Sequence, residues 1–181
     1  MSIKFNVAAL SLCTEAEGPF RRMSIWFQGC DMDCKGCCNP DLRHIKPSHI
    51  MQLDALIALA QKSMQELDIE GVTYLGGEPT LQKSLPLLTS ALSLIGLGVI
   101  CFTGRNYLDV KELVKGVDMV IDGQYEKDLP DTRRIIGSTN QRLIHQTDRY
   151  KKHEDWFYRC VEEYGEFNLT DASIVYNGNV L

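Results

Sequence analysis

Short apolar runs alternate with longer amphipathic stretches along this chain of 181 residues. Five of the runs contain β-branched or aromatic residues and end in glycine or a polar residue, a pattern typical of strands. The predicted strands are Ser24–Phe27, Val72–Leu75, Gly98–Phe102, Met119–Asp122 and Ser173–Tyr176. The pair Asn177-Gly178 after the last run predicts a turn.

Between these runs, apolar positions recur every three or four residues, which predicts helices. The first helix covers Ile50 to Leu67, with Pro47-Ser48 as its start and cap. Two more helices are predicted at Leu81–Leu94 and Asn106–Val114. Strands that alternate with helices indicate βα units and a mainly parallel α/β sheet, whose ligands bind at the carboxyl ends of the strands.

The amino-acid composition indicates which classes of protein fit this chain. With 44% hydrophobic and 24% charged residues, the chain can bury a substantial core, and its length predicts one domain. The net charge of −5 argues against a nucleic-acid partner. The sequence shows neither a signal peptide nor an apolar stretch long enough to span a membrane, so we expect a cytoplasmic protein without a membrane partner.

Seven cysteines are many for such a chain. In a reducing compartment, clustered cysteines indicate metal or redox chemistry rather than disulfides. The cluster lies in the loop after the first predicted strand and consists of Cys30, Cys34, Cys37 and Cys38. The scattered cysteines, predicted to be small buried residues, are Cys13, Cys101 and Cys160.

The spacing C-x3-C-x2-C of Cys30, Cys34 and Cys37 suits a cubane iron–sulfur cluster. Three thiolates can ligate three irons and leave the fourth open to a non-protein ligand. Gly36 supplies conformational freedom and room for a ligand near the backbone. Cys38 could replace Cys37 as the third ligand; we prefer Cys37 and place Cys38 in the lining of the site.

Two other interpretations fit the same loop. Four cysteines could form a structural zinc site, and Cys34-Lys35-Gly36-Cys37 could form a dithiol redox pair. Zinc sites usually take two separated pairs of ligands, whereas these thiols crowd one loop. A redox pair leaves Cys30 without a role. The loop therefore favours an iron–sulfur cluster.

A second motif, Gly76-Gly77-Glu78-Pro79, follows the next predicted strand. Its two glycines let a ligand lie against the backbone, and Glu78 can pair with an ammonium group. We expect Gly77→Val to block that ligand while leaving the cluster intact, because a side chain would occupy the ligand's place. Alone, the motif is also typical of an ordinary strand-to-helix turn, which Pro79 would begin.

Together, the cysteine loop and the Gly-Gly-Glu-Pro motif resemble the radical S-adenosylmethionine (SAM) superfamily. This resemblance implies a [4Fe-4S] cluster on Cys30, Cys34 and Cys37, which are then both metal ligands and catalytic residues. It also implies that SAM binds with its methionine amine at Gly76, Gly77 and Glu78. The reduced cluster would cleave SAM to a 5′-deoxyadenosyl radical, which abstracts a hydrogen atom.

Further segments resemble the glycyl-radical-enzyme activases, in particular the activating proteins of anaerobic (class III) ribonucleotide reductase. These segments are Glu17–Arg22, the Cys-x-Gly-Cys spacing around Gly36, Asp118–Tyr125 and Ile136–Arg142. The chain departs from the family pattern at three positions. Phe20 replaces a glycine, Cys38 replaces an aromatic residue, and Ile136 stands where the family often has arginine.

The resemblance implies a small, incomplete TIM-type barrel of parallel strands without an accessory domain. We expect one domain over 1–181, with a core at about 18–142 and a C-terminal extension at 143–181. By position, Gly36 and Cys38 would line the SAM site, and Thr103 would contact the ribose or carboxylate. Asp122 would hold a cation near the SAM carboxylate, as related activases imply. A capping threonine and a turn-forming aspartate are the alternatives for these last two residues.

The leading hypothesis is an activase that generates a glycyl radical on a partner enzyme, with flavodoxin or ferredoxin as the electron donor. An open cleft suits a macromolecular substrate whose own loop fills it and excludes water. A radical SAM enzyme acting on a small molecule, a peptide or a modified nucleobase is the first alternative. A non-catalytic metal-binding interaction protein is the second. The basic stretch Arg149–His153 is expected to be a solvated surface.

Overall fold

A computed structural model describes residues 2–159, 165–169 and 174–178. Seven of its strands form one sheet: β1 (Lys4–Thr14), β2 (Arg22–Phe27), β3 (His49–Gln52), β4 (Gly71–Gly76), β5 (Gly98–Thr103), β6 (Met119–Asp122) and β7 (Arg142–His145). The α-helices are α1 (Leu53–Leu67), α2 (Leu85–Leu94), α3 (Tyr107–Val110) and α4 (Asp155–Tyr158). A separate antiparallel pair consists of β8 (Gly165–Leu169) and β9 (Ile174–Gly178).

The large sheet is mixed and open, with the strand order β3-β1-β2-β4-β5-β6-β7. Strands β2, β4, β5 and β6 are parallel, whereas β1, β3 and β7 pair antiparallel at the two sides. The predicted α/β class is confirmed. The expectation of parallel strands throughout is wrong, because the connections β1–β2 and β6–β7 contain no helix to carry the chain back across the sheet. A partial barrel is not confirmed.

The four parallel strands are the ones that the sequence predicted, each within two residues of its observed bounds. They are buried along nearly their whole length, which explains their continuous apolar runs. Strands β1, β3, β7 and β8 were not predicted. Asn177-Gly178 belongs to β9 rather than to a turn, and Ser173 lies outside the described residues.

The first helix begins later than its periodicity predicted. Residues 49–52 form the edge strand β3, which pairs antiparallel with residues 4–7 of β1. Pro47-Ser48 therefore precedes a strand, and the N-cap of α1 is Gln52, whose side chain makes no capping hydrogen bond. Pairing with β1 decided the local structure here, against the helical pattern of the sequence. No helix within the described residues is long and apolar enough to cross a membrane.

The other two predicted helices are shorter than expected. Pro79–Leu81 forms a 3₁₀ turn before α2, and α3 ends at Val110. Asn106 caps α3, because its side chain accepts a hydrogen bond of 3.0 Å from the backbone N–H of Leu108.

Two hydrophobic clusters cover the sheet. The larger one contains side chains of α1, α2 and the parallel strands, among them Leu56, Leu88 and Tyr74. The smaller one contains Ile100 and Met119 together with Tyr150 and Phe157 from the chain after β7. Tyr150 is fully buried, so the expectation that 149–153 is a solvated surface is wrong at this residue. The sheet and its packing thus extend beyond residues 18–142 on both sides.

Candidate functional site

The predicted site residues lie at one edge of the sheet, where the parallel strands β2, β4, β5 and β6 end. The strand register produces this arrangement, since Phe27 pairs with Gly76 and Thr103 pairs with Asp122. The cysteine loop follows Phe27 directly. Loops at the carboxyl ends of parallel strands are where α/β proteins bind ligands.

Cys30, Cys34 and Cys37 are half-buried free thiols, and Cys38 is exposed. The backbone N–H of Cys37 donates to the carbonyl oxygen of Cys34 at 3.3 Å, which curls this part of the loop. Burial raises the pKa of the Cys30 thiol. Because a metal binds the thiolate, metal binding at Cys30 would release a proton.

The scattered cysteines have other surroundings. Cys101 is fully buried in β5, and burial raises the pKa of its thiol well above the ordinary value. Cys13 is half-buried, which agrees less well with the expected small buried residue. Cys160 lies outside the described residues.

A cubane cluster can use this donor set. Among the described residues, no three or more His, Cys, Asp or Glu side chains are grouped so that they could hold a metal ion. A cubane spreads its protein ligands over separate irons, so three thiols need not converge on one point. Three half-buried thiols on one loop suit that requirement, and Cys38 adds a fourth thiol beside them.

The first residues of the cysteine loop are held from two sides. The N–H groups of Gly29 and Cys30 donate to the carbonyl oxygens of Leu42 and Arg43, at 2.8 and 3.1 Å. On the other side, Asp31 accepts from Arg105, which follows β5. The Arg105 guanidinium holds the pKa of the Asp31 carboxyl below its usual range.

Gly76 and Gly77 lie against the backbone of the cysteine loop. Gly76 has φ +111°, a conformation that favours glycine. A Cβ atom on Gly77 would lie 2.1 Å from the carbonyl oxygen of Gly29. A side chain at this position would displace the start of the cysteine loop, which argues against the expectation that Gly77→Val leaves the cluster intact. The predicted contact of both glycines with SAM stays a prediction.

Glu78 is fully buried and joins the ends of β4 and β5. Its Oε1 accepts from both the N–H and the hydroxyl of Thr80, at 3.0 and 2.6 Å, and from the hydroxyl of Thr103 at 2.8 Å. Its Oε2 accepts from the N–H of Gly104 at 3.0 Å. All four donors are neutral, so they solvate the carboxylate without compensating its charge.

Thr103 also accepts a hydrogen bond of 3.1 Å from the N–H of Arg105. The structure thus gives Thr103 the capping role that was its alternative interpretation. Contact between Thr103 and SAM, and between Glu78 and the SAM ammonium, stay predictions.

Asp122 is fully buried at the end of β6 and accepts from three donors. The N–H of Tyr107 donates to Oδ2 at 2.7 Å, so Asp122 fixes the start of α3. The guanidinium of Arg142 donates to both carboxylate oxygens, with Nε at 2.9 Å from Oδ1. In the structure, the cation beside Asp122 is thus a side chain of the protein itself. A cation held by Asp122 near SAM stays a prediction.

The segments Asp118–Tyr125 and Ile136–Arg142 pack on each other. Asn140 Nδ2 donates to the carbonyl oxygen of Gln124 at 2.7 Å, and Gln141 Nε2 donates to that of Gly123 at 3.1 Å. The amide side chains of the second segment thus hold backbone carbonyl groups of the first. They brace the loop after β6.

The loop after β6 also touches the cysteine loop. Gly36 has φ +76°, and a Cβ atom there would lie 3.2 Å from Lys127 and 3.6 Å from the Tyr125 ring. Tyr125 is half-buried between Gly36 and Gly137, whose own Cβ position is 2.8 Å from the ring. Gly36 therefore gives the Lys127 and Tyr125 side chains room to pack against the cysteine loop.

Sequence reasoning missed Asp31, Met32 and Arg105. Met32 packs on Gly104, where a Cβ atom would lie 2.3 Å from the methionine methyl group. The available signal was an acidic residue inside the cysteine motif together with an arginine two positions after Thr103. That signal is weak, because exposed charged residues are common in loops.

A family model described as "4Fe-4S single cluster domain" matches residues 16–144. The match covers most of the chain and contains every predicted site residue. The chain therefore belongs to this family of 4Fe-4S single cluster domains.

Two curated relatives make the family more specific. The anaerobic ribonucleoside-triphosphate reductase-activating protein of Enterobacteria phage T4 is 30% identical over 149 residues, which are 78% of this chain and 95% of that protein. The pyruvate formate-lyase-activating enzyme of Streptococcus mutans is 28% identical over 74% of this chain and 55% of that enzyme. The resemblance to radical SAM activases drawn from the motifs is confirmed, and the chain is an enzyme of the oxidoreductase type.

Among solved structures, the chain is similar to the crystal structure of QueE from Escherichia coli. The TM-score is 0.45 at 23% sequence identity, over 56% of this chain and 52% of that one. A likeness of this size supports no argument about substrate.

Proposed function

We propose that this enzyme binds a [4Fe-4S] cluster through Cys30, Cys34 and Cys37 and uses SAM to generate a glycyl radical on an anaerobic ribonucleoside-triphosphate reductase. The observation that carries the proposal is the meeting of three half-buried thiols, the Gly76–Glu78 turn and Asp122 at one edge of the sheet. Similarity to the phage activating protein over 95% of that protein supports the choice of partner.

The chain's own groups supply binding and orientation in this proposal. The three thiolates hold the cluster and leave one iron for SAM. The buried Glu78 carboxylate, which has only neutral donors, attracts the SAM ammonium towards the end of β4. When bound and reduced, the cluster would supply one electron that breaks the C5′–S bond of SAM, giving methionine and a 5′-deoxyadenosyl radical that takes a hydrogen atom from the partner's glycine.

The proposal also includes a partner segment and an electron donor. A flexible glycine loop of the partner would approach the cysteine loop at the carboxyl ends of the strands and be held within contact distance of SAM. The electron enters from an external one-electron carrier, flavodoxin or ferredoxin. Its place of contact is the exposed surface around Cys38 and Lys35.

The test is to mix anaerobically reduced protein, SAM and a class III reductase from the same source and to record the electron paramagnetic resonance (EPR) spectrum. We expect a glycyl-radical doublet on the reductase that requires SAM and disappears with Cys30→Ser, Cys34→Ser or Cys37→Ser. Cys13→Ser, a half-buried cysteine outside the loop, is the matched control and should retain the doublet. Cleavage of SAM without a radical on the reductase would reject this partner and leave the radical SAM chemistry standing.

A further inference from the structure

The cysteine loop and the loop after β5 are joined by one ion pair across 74 residues of sequence. Arg105 Nη2 lies 2.6 Å from both carboxylate oxygens of Asp31, which directly follows Cys30. The Asp31 side chain is 44% exposed and that of Arg105 is 32% exposed, so the pair lies at the surface of the site. Charge-assisted hydrogen bonds of this length are stronger than neutral ones.

This ion pair closes a ring of bonded groups around Cys30. From Gly29 the ring runs through Cys30 to Asp31, crosses to Arg105, and returns along the backbone to Thr103. It then crosses to Glu78, which accepts from the Thr103 hydroxyl at 2.8 Å and whose N–H donates to the Gly29 carbonyl oxygen at 2.8 Å. Met32 packs on Gly104 just outside the ring. A closed ring fixes Cys30 relative to the ends of β4 and β5.

The rest of the cysteine loop has weaker supports. Asp33 pairs with Arg43 at 2.5 Å, but the Asp33 side chain is 91% exposed. This second pair joins the loop only to the neighbouring segment, ten residues away, and not to another strand end. Exposed ion pairs of this kind contribute little to structure. Among the described contacts, no ion pair joins the part of the loop with Cys34 and Cys37 to a strand end, although Gly36 between them packs against Lys127 and Tyr125.

We propose that the Asp31–Arg105 pair is a positioning clamp that orders Cys30 against the strand ends before a cluster binds. Asp31 and Arg105 act through Cys30 and are not catalytic residues. The clamp rests on the proposed function only for its purpose, because the contacts that define it are made between groups of the chain itself.

The clamp is tested first on the metal-free full-length protein by amide hydrogen exchange of residues 30–33. We expect Arg105→Gln and Asp31→Asn each to speed this exchange by about threefold to fivefold, the range for loss of a surface ion pair of good geometry. The exchanged-charge variant Asp31→Arg/Arg105→Asp should return the rate towards that of the wild type. The matched control is Arg43→Gln, which removes the other Asp–Arg pair of the loop and should leave the exchange within about twofold of wild type.

The second measurement is the rate at which a chelator removes iron from the reconstituted protein. We expect the chelator to remove iron faster from Arg105→Gln than from Arg43→Gln. The rate for Arg43→Gln should equal that of the wild type. Unchanged exchange at 30–33 in Arg105→Gln, or an equal increase in Arg43→Gln, would overturn the clamp. If the wild-type protein takes up no iron, the proposed function fails, while the hydrogen exchange still decides for or against the clamp.

Discussion

The amino ends of the parallel strands bury one charged side chain, Arg22, whereas the carboxyl ends bury two, Glu78 and Asp122. Arg22 donates to Thr73, Glu70 and Tyr150 at 2.7, 3.0 and 2.9 Å, and also to backbone oxygens of β4 and β5. Its charge is met by the Glu70 carboxylate. Glu78 has only neutral donors, and the thiols beside it are free.

The two ends differ in what remains for a ligand. Around Arg22, other side chains occupy the space beside the glycines. A Cβ atom on Gly71 would lie 2.6 Å from the Arg22 guanidinium, and one on Gly98 would lie 2.1 Å from the Tyr150 hydroxyl. At the carboxyl ends, Asp122 is paired with Arg142, whereas the Glu78 carboxylate accepts hydrogen bonds only from neutral donors, and half-buried thiols lie beside it. Arg22, which is paired with Glu70, therefore stabilises the fold, whereas Glu78 and the thiols are the groups left for a ligand.

The largest expected effect is at the amino ends. Arg22→Met should lower the free energy of unfolding by about 3 kcal/mol, because it leaves Tyr150 and the carbonyl oxygens of β4 and β5 without their buried donor. Chemical denaturation of the metal-free protein measures this loss. Arg149→Gln, which removes a half-exposed partner of the same Glu70, should cost less than about 1 kcal/mol. Equal losses in the two variants would contradict the distinction between the buried and the exposed arginine.

At the carboxyl ends, Gly77→Ala should affect stability and cluster binding together. Its Cβ would meet the Gly29 backbone at 2.1 Å, so we expect a loss of about 2 kcal/mol and of most of the bound iron. Gly96→Ala is the matched control, since Gly96 has φ +90° and open space around its Cβ position. That variant should lose about 1 kcal/mol from backbone strain and keep its iron. Full iron binding in a folded Gly77→Ala protein would refute the close packing of the two loops.

A smaller effect concerns the loop between β6 and β7, which contains Asp131 and Arg133. The Arg133 guanidinium lowers the pKa of Asp131, whose side chain is 6% exposed. A lowered folded-state pKa adds stability that is present above the unfolded pKa of about 3.9 and is lost as the pH falls through the folded pKa. Asp131→Asn should therefore remove about 1 kcal/mol at pH 7 and less at pH 3. Urea titrations at both pH values measure the difference, and an equal loss at both would contradict it.

The smallest expected effect is at Phe20, near the amino ends of the parallel strands. Its backbone has φ +66°. Phe20→Gly relieves the left-handed strain but loses the ring contact with His153, whose centroid is 4.7 Å away. We expect a net gain of about 0.5 kcal/mol, after the backbone entropy of glycine is subtracted. Phe20→Ala keeps the strain and loses the contact, so its thermal midpoint should fall. A lower midpoint for Phe20→Gly than for Phe20→Ala would rule out strain at this position.

The contrast between the two ends also explains what the sequence could predict. The parallel strands are buried on both faces, so their apolar runs were recognisable, and their parallel order predicted that Cys30, Gly77 and Asp122 meet at one edge. Spacing alone located the three cysteines. These features are local in sequence or follow from the periodic pattern.

Features that depend on distant partners could not be predicted. Arg22 has the sequence pattern of a surface residue, and its burial depends on Glu70 and Tyr150, which are 48 and 128 residues away. Strand β3 depends on pairing with β1, which overrides the helical periodicity of its own residues. The donors that hold Glu78 from the end of β5 are 25 and 26 residues away in sequence. Only the folded chain brings such groups together.

We propose that the carboxyl-end thiols Cys30, Cys34 and Cys37 hold one cubane cluster. Iron and sulfide analysis after anaerobic reconstitution tests this assignment. We expect about four irons and four sulfides per chain in the wild type and in Cys38→Ser, and almost none when any of the three ligands is replaced by serine. A Cys38→Ser protein without iron, beside a Cys37→Ser protein with a full cluster, would contradict the assignment.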